Sequence, residues 1–269
     1  MRLKPRQFTQ TVLFWIRSGC SKERHVFISG APRSGTTLLK TLLTRHHSLV
    51  GIDYESTGLF RYRHVPLDSL LELPDEEILR IQRHCKDLVS LYDAYAKCVV
   101  DRQRGEVFVD KIWPRVFRLK FVDRHFTRAR WIHIIRDGRD CFCSARKHRD
   151  IPQASSVERF ARYWRASTEM ISTSLRNGTL MELRYEDLTS NPGPILQRVM
   201  DFLGFEFEEA QLDVNACVPK IASWDIHQGL NREIHQESHC RWTSEMSYEE
   251  QLAFRKLAGG TLERWGYTG

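Results

Sequence analysis

The sequence predicts an α/β fold, with three α/β/α layers built around a central parallel sheet. Short apolar runs alternate along the chain with longer stretches whose apolar residues recur at helical spacing, the pattern of strands joined by crossover helices. The runs are near-continuous rather than alternating, as in Trp131–Ile135, which suits strands covered on both faces. The size and composition agree: 269 residues, 41% hydrophobic and 28% charged, suit one folded core and exclude a disordered or fibrous chain. The expected organisation is a basic N-terminal segment, residues 1–25, followed by a single domain over 26–269.

Taken in order, Val26-Phe27-Ile28 reads as the first strand. A Gly/Pro/Ser-rich turn follows it, and then Leu38, Leu39, Leu42 and Leu43 at helical spacing. Leu49–Ile52 is a candidate second strand. Residues 75–100 set Ile78, Ile81, Cys85, Leu88, Leu91 and Tyr95 on one helical face, with Asp75 as the expected N-cap. Val107–Val109 reads as a strand, Arg115–Phe126 as a helix and Trp131–Ile135 as a strand. Helices are then expected at 138–148 and 155–176, a strand at Leu180–Leu183, and a helix from Pro194 to Leu203 ending at Gly204. Beyond it come a helix near 206–213, irregular chain through about 245, and a last helix from Ser247.

Charge is unevenly placed. The balance is 41 Lys+Arg against 34 Asp+Glu, or +7. Residues 1–25 hold Arg2, Lys4, Arg6, Arg17, Lys22 and Arg24 against Glu23. A second basic patch runs from Arg124 to Arg149. This is not the spread of a protein that coats nucleic acid; it reads as one basic segment and one local anion site. The apolar run Val12–Ile16 is too short for a signal peptide, and no stretch approaches the roughly 18 apolar residues of a membrane span. On a helix, Phe8, Val12, Trp15 and Ile16 share a face that packs on the core or touches a membrane surface. The seven cysteines are scattered without a CxxC pair, which points to free thiols in a reducing, cytoplasmic setting and to no metal site. His46-His47 reads as a solvated loop pair.

The chemistry starts at Gly30-Ala-Pro-Arg33-Ser34-Gly35-Thr36-Thr37, between the first strand and the first long helix. Small residues let the backbone fold around an anion, and a helix N-terminus supplies free N–H groups and the positive end of its dipole. The spacing is that of a P-loop, G-x4-G-K-[ST], so the fold class is P-loop NTPase-like. Thr36, however, stands where the lysine belongs. That lysine bridges the β- and γ-phosphates of a triphosphate. Here the cation is Arg33, so the loop is suited to a different anion.

At this string the chain resembles the sulfotransferases that take their sulfuryl group from 3′-phosphoadenosine-5′-phosphosulfate (PAPS) and release adenosine 3′,5′-bisphosphate (PAP). The resemblance implies that Arg33, Ser34, Gly35, Thr36 and Thr37 hold the 5′-phosphosulfate. A second motif, Ile134-Ile135-Arg136-Asp137-Gly138-Arg139-Asp140 with Ser144 beyond it, resembles the family's 3′-phosphate site. Its chemistry is self-consistent, since Arg136 can form a bidentate pair with a phosphate and Ser144 can donate a hydroxyl bond. Leu183-Arg184-Tyr185-Glu186-Asp187-Leu188 resembles a segment whose tyrosine, here Tyr185, joins the nucleotide site; a core aromatic is the other reading. Cys240-Arg241-Trp242 resembles a segment whose basic residue, here Arg241, touches the nucleotide.

In-line sulfuryl transfer requires positioning, stabilisation of the leaving phosphate and a base for the acceptor. Arg33 suits the leaving group, and Lys111 sits where the family has a lysine beside the transferring group. The chain lacks the histidine base of the cytosolic small-molecule branch. The resemblance is closer to the protein-tyrosine, carbohydrate and bacterial branches, whose base is a carboxylate; Glu55 is the candidate and Asp53 its rival. Ser223, in Ser223-Trp224-Asp225, resembles a serine that helps hold the transferring group. The expected acceptor is a hydroxyl on a sugar, peptide tyrosine or secondary metabolite. A P-loop kinase-like phosphotransferase and a non-catalytic nucleotide-binding module are the alternatives.

Overall fold

Five short runs become strands, His25–Ser29 (β1), Leu49–Val50 (β2), Val107–Lys111 (β3), Arg130–Ile135 (β4) and Leu180–Arg184 (β5), with β-branched and aromatic residues in all but the last. The computed structural model describes residues 18–52, 75–112, 116–175, 178–213 and 239–268. The strands form one sheet in the order β2-β3-β1-β4-β5, and every pairing is parallel. Parallel pairing requires crossovers, which the helices provide. They are Thr36–Leu43 (α1), Asp75–His84 (α2), Leu88–Gln103 (α3), Val116–His125 (α4), Gly138–Ala145 (α5), Val157–Ser174 (α6), Tyr185–Ser190 (α7), Pro192–Leu203 (α8), Trp242–Glu245 (α9) and Tyr248–Arg264 (α10).

The period-2 alternation of β1 sorts its residues between two cores. Val26 and Ile28 pack with Leu39 and Leu42 of α1 and with Leu196 and Val199 of α8. Phe27 packs on the opposite face with Tyr92 of α3, Leu119 and Val122 of α4 and Ile171 of α6. A third cluster joins α5, α6 and α10 through Phe142, Trp164 and Phe254, beyond the carboxyl ends of β1 and β4. The sheet with helices packed on both of its faces gives the three α/β/α layers of the P-loop NTPase-like fold. Because β1 lies between β3 and β4, the chain reverses its direction of winding at β1. The crevice at the carboxyl ends of these strands is where open α/β sheets bind ligands.

Several expectations shift. The single helical face over 75–100 is divided between α2 and α3, because Asp87 breaks the run. Its extended backbone and its side chain, which accepts the Ser90 amide while the Ser90 hydroxyl accepts the Asp87 amide, form a capping box that starts a new helix. Tyr185–Ser190, for which the sequence reading had no helix, is a short helix directly after β5. The helix expected near 206–213 is a single 3-10 turn, Glu209–Leu212. β3 extends to Lys111, two residues past the expected end, and that extension sets the position of the lysine. Residues 1–17, and residues 214–238 within the stretch expected to be irregular, lie outside the described residues. No helix among the described residues is long and apolar enough to cross a membrane.

Candidate active site

The loop between β1 and α1 turns through two left-handed residues, Arg33 at φ 70° and Gly35 at φ 96°. Ser34 is buried, and both its hydroxyl and its amide donate to the Ala31 carbonyl, at 2.7 and 3.2 Å. Its side chain therefore braces the loop from inside. The first amides of α1, Thr36 and Thr37 among them, have no carbonyl one turn earlier to bond and form the anion-facing end. A glycine is required at position 35 for two reasons: its positive φ, and the Tyr185 ring, whose Cδ2 would lie 2.4 Å from an added Cβ. Tyr185 is thus both buried and a wall of the loop.

The second motif meets the first directly. Arg33 donates from Nε to the Ser144 hydroxyl at 2.9 Å, and Arg136 donates from Nη1 to the Arg33 carbonyl at 3.1 Å. The Arg136 guanidinium also lies 4.7 Å from the centroid of the Tyr185 ring. Burial and the neighbouring Arg136 charge hold the Arg33 pKa below its ordinary value. Two guanidinium groups forced together in a partly buried place are what an anion would neutralise. Arg33, Arg136 and Ser144, assigned to two separate phosphates, form one continuous basic wall at the carboxyl ends of β1 and β4.

Lys111 completes the far side. It is buried at the end of β3, and its ammonium donates to the Thr37 hydroxyl at 3.0 Å, so it faces the loop rather than solvent. Arg241, which precedes α9, lies close enough for its charge to act on Arg33, but it is paired at 2.7 Å with Glu245 at the end of that helix. Glu55, Asp53 and Ser223 lie outside the described residues.

The structure adds residues to which the sequence reading gave no role. Asp137 caps α5 and grips Arg139, with Nη2 to Oδ2 at 2.8 Å, while the Arg139 guanidinium sits 3.7 Å over the Trp242 ring. Glu186 accepts the Asp137 amide at 3.1 Å and the Tyr267 hydroxyl at 2.7 Å. Burial beside that carboxylate raises the Tyr267 pKa, so the phenol remains a donor. The ends of β4, β5 and the C-terminal chain are thereby tied behind Arg136. All but Tyr267 lie in the motif strings, but chemistry aimed at the ligand gave no reason to look for ion pairs behind it.

A cluster of potential metal-binding groups, His46, His47 and Glu208, lies beyond the other end of α1. His46 is buried rather than solvated, and His47 stacks on it at 4.6 Å. The Ser48 amide donates to His46 Nδ1 at 3.1 Å, which places the proton of the neutral ring on Nε2, 3.6 Å from Glu208. Cys20, Cys85, Cys98, Cys141, Cys143 and Cys240 are free thiols.

The model of the sulfotransferase family matches residues 25–209, from β1 through the turn after α8. The chain belongs to the sulfotransferase family. Solved structures agree on the fold of this sulfotransferase. The sulfotransferase domain from the curacin biosynthetic pathway superposes with a TM-score of 0.64 at 18% identity, covering 91% of this chain and 97% of that one. The sulfotransferase domain from the Synechococcus PCC 7002 olefin synthase gives 0.62 at 20% identity, over 91% and 96%. Mouse sulfotransferase SULT7A1, complexed with PAP, gives 0.55 at 13% identity, over 97% and 96%. Among curated proteins, none matches the sulfotransferase in sequence.

Proposed function

We propose that this sulfotransferase moves the sulfuryl group of PAPS to an acceptor hydroxyl on a sugar, a peptide tyrosine or a secondary metabolite, with PAP as product. The observation that carries the reading is the continuous wall formed by Arg33, Arg136 and Ser144, two cations and a hydroxyl joined across the ends of two adjacent strands. Arg33 stands in the loop that opens α1, and Arg136 directly precedes the Asp137 cap of α5, whose last turn carries Ser144. That placement suits a nucleotide with anions at both its 5′ and 3′ positions. The PAP-bound mouse relative supports the same ligand.

In this reading Arg136 and Ser144 hold the 3′-phosphate, and the amides of Gly35, Thr36 and Thr37 hold the 5′ end. Arg33 links the two, Tyr185 lines the nucleotide site beneath Arg136, and Arg241 adds charge at its rim. The acceptor oxygen forms its bond to sulfur as the sulfur–oxygen bond to the 5′-phosphate breaks. The acceptor proton passes to a carboxylate, Glu55 or its rival Asp53. Charge gathers on the departing phosphate oxygen, which the loop amides and Lys111 are placed to stabilise, with Ser223 assisting at the transferring group. No residue assigned to the reaction asks for a metal. The catalytic unit runs as one domain over 26–269 in a cytoplasmic protein, and the basic segment 1–25 adds weak contact with a membrane surface.

Thermal stabilisation by PAP, measured beside ADP and ATP with magnesium, tests the reading. A ligand at about 100 times its Kd stabilises the fold by roughly 2.7 kcal/mol. A shift with PAP that is weakened in Arg136→Ala supports the proposal. A shift confined to ATP with magnesium would point to phosphoryl transfer, and no shift with any of the three would point to a module without this site.

A further inference from the structure

Helix α5 carries Ser144 to the phosphate wall, and Asp140, one turn earlier on the same face, is buried with no part in the chemistry above. Its Oδ1 accepts the backbone N–H of Trp242 at 3.0 Å, across 102 residues of chain, and the backbone amide of Cys240 is also directed at the carboxylate. The stretch so held, His239 to Trp242, is where the chain returns over the site. His239 bonds the Thr189 hydroxyl at 2.8 Å and meets the Tyr185 ring edge-on, with centroids 6.1 Å apart. Arg241, two residues on, contributes its charge to Arg33. Between them Cys240 adopts φ 54°, a left-handed conformation that a non-glycine residue keeps only when its surroundings impose it.

The geometry points to Asp140 as a positioning residue that clamps the His239–Trp242 backbone against the phosphate wall, so that His239 and Arg241 stand ready at the nucleotide. The inference rests on the PAPS reading. The stacking of Arg139 on the Trp242 ring and the bond from Thr189 to His239 hold side chains, whereas Asp140 holds the main chain itself, at the strained turn. A carboxylate is suited to this because its two oxygens can take two nearby amides, as at a helix N-cap, and charge-assisted bonds of this kind are the strong ones. Burial pushes the Asp140 carboxyl up to about 6, while the Trp242 amide and Arg136 pull it back toward ionisation. Asp140 touches neither donor nor acceptor in this account, and its effect is exerted through the segment.

The test measures PAP binding by calorimetry and backbone amide exchange at Cys240 and Trp242 in the full chain. Asp140→Ala should weaken PAP binding about tenfold, the scale of one lost charge-assisted bond, and speed exchange at both amides. Asp140→Asn, which keeps one acceptor oxygen, should retain the Trp242 protection and bind PAP within about threefold of the unaltered chain. If the alanine chain does not fold, Asp140→Ser, which leaves room for a water under the segment, is measured in its place with the same expectations. Unchanged exchange at Trp242, unchanged PAP affinity, or an asparagine variant as impaired as the alanine one would overturn the clamp. Failure of the unaltered chain to bind PAP would instead overturn the nucleotide reading on which it stands.

Discussion

Replacing Gly35 by alanine separates two costs that the structure lets one count independently. The residue sits at φ 96°, and an L side chain in the left-handed region costs about 1–2 kcal/mol. Its new Cβ would also lie 2.4 Å from Cδ2 and 2.8 Å from Cε2 of Tyr185, a buried ring that supports Arg136. Relieving that overlap means moving a packed aromatic, for which overpacking costs run about 1–3 kcal/mol. Gly204 provides the control: it has φ 78°, but the nearest atom to an added Cβ is the tip of Arg24 at 3.8 Å, so only the first cost applies. At about 2–4 °C per kcal/mol for a chain of this size, Gly204→Ala should lower the melting temperature by roughly 2–8 °C. Gly35→Ala should fall a further 2–12 °C or so, by the same conversion of the overpacking cost. The stronger discriminator is PAP binding, measured by calorimetry: unchanged in Gly204→Ala, weakened about tenfold or more in Gly35→Ala as Tyr185 and Arg136 shift together. A Gly35→Ala protein that melts with the control and binds PAP at full strength would refute the claim that Tyr185 and the loop form one wall.

Arg136→Ala should raise the Kd for PAP roughly 10- to 100-fold, the scale of a lost charged contact, while Arg136→Lys recovers only part because an ammonium cannot make the bidentate pair. Calorimetry on both variants checks this. Asp140 titrates in the folded chain at about 6 against about 3.9 unfolded, so its stabilising contribution is full below pH 4 and is lost as pH rises through 6. Relative to Asp140→Asn, the unaltered protein should therefore lose up to about 3 kcal/mol between those limits, read from urea midpoints; a flat difference would show that the carboxyl is not desolvated. Glu55→Gln should abolish turnover of PAPS across an acceptor panel while leaving PAP binding intact. If Asp53→Asn has that effect and Glu55→Gln does not, the base is Asp53.

The layers of this fold and both anion motifs were legible before any coordinates, because each is a local pattern. A strand, a glycine-rich turn and a helix start are written in consecutive residues, and the apolar period distinguishes strand from helix within a few turns. Tyr185 was legible as a candidate but not as a wall, since its contact with Gly35 spans 150 residues. The break at Asp87 was missed for the opposite reason. The apolar face runs straight through it, and the local competition of a capping box carries no hydrophobic signal.

What the sequence determined by itself is therefore the set of parts: parallel strands, their helices, a loop shaped for an anion, and an arginine and a serine eight residues apart. Tertiary structure decided how they meet. Placing β1 between β3 and β4 brings Arg33 onto Ser144 across 111 residues and Lys111 onto Thr37 across 74, and it makes two motifs one wall. It also decided that Lys111 is buried against the loop and that Asp140 holds the returning chain at Trp242. The physical reason is that dihedral preference and apolar period act over a turn or two of chain. Contact between distant polar groups depends on the strand order and on which side of the sheet each crossover packs.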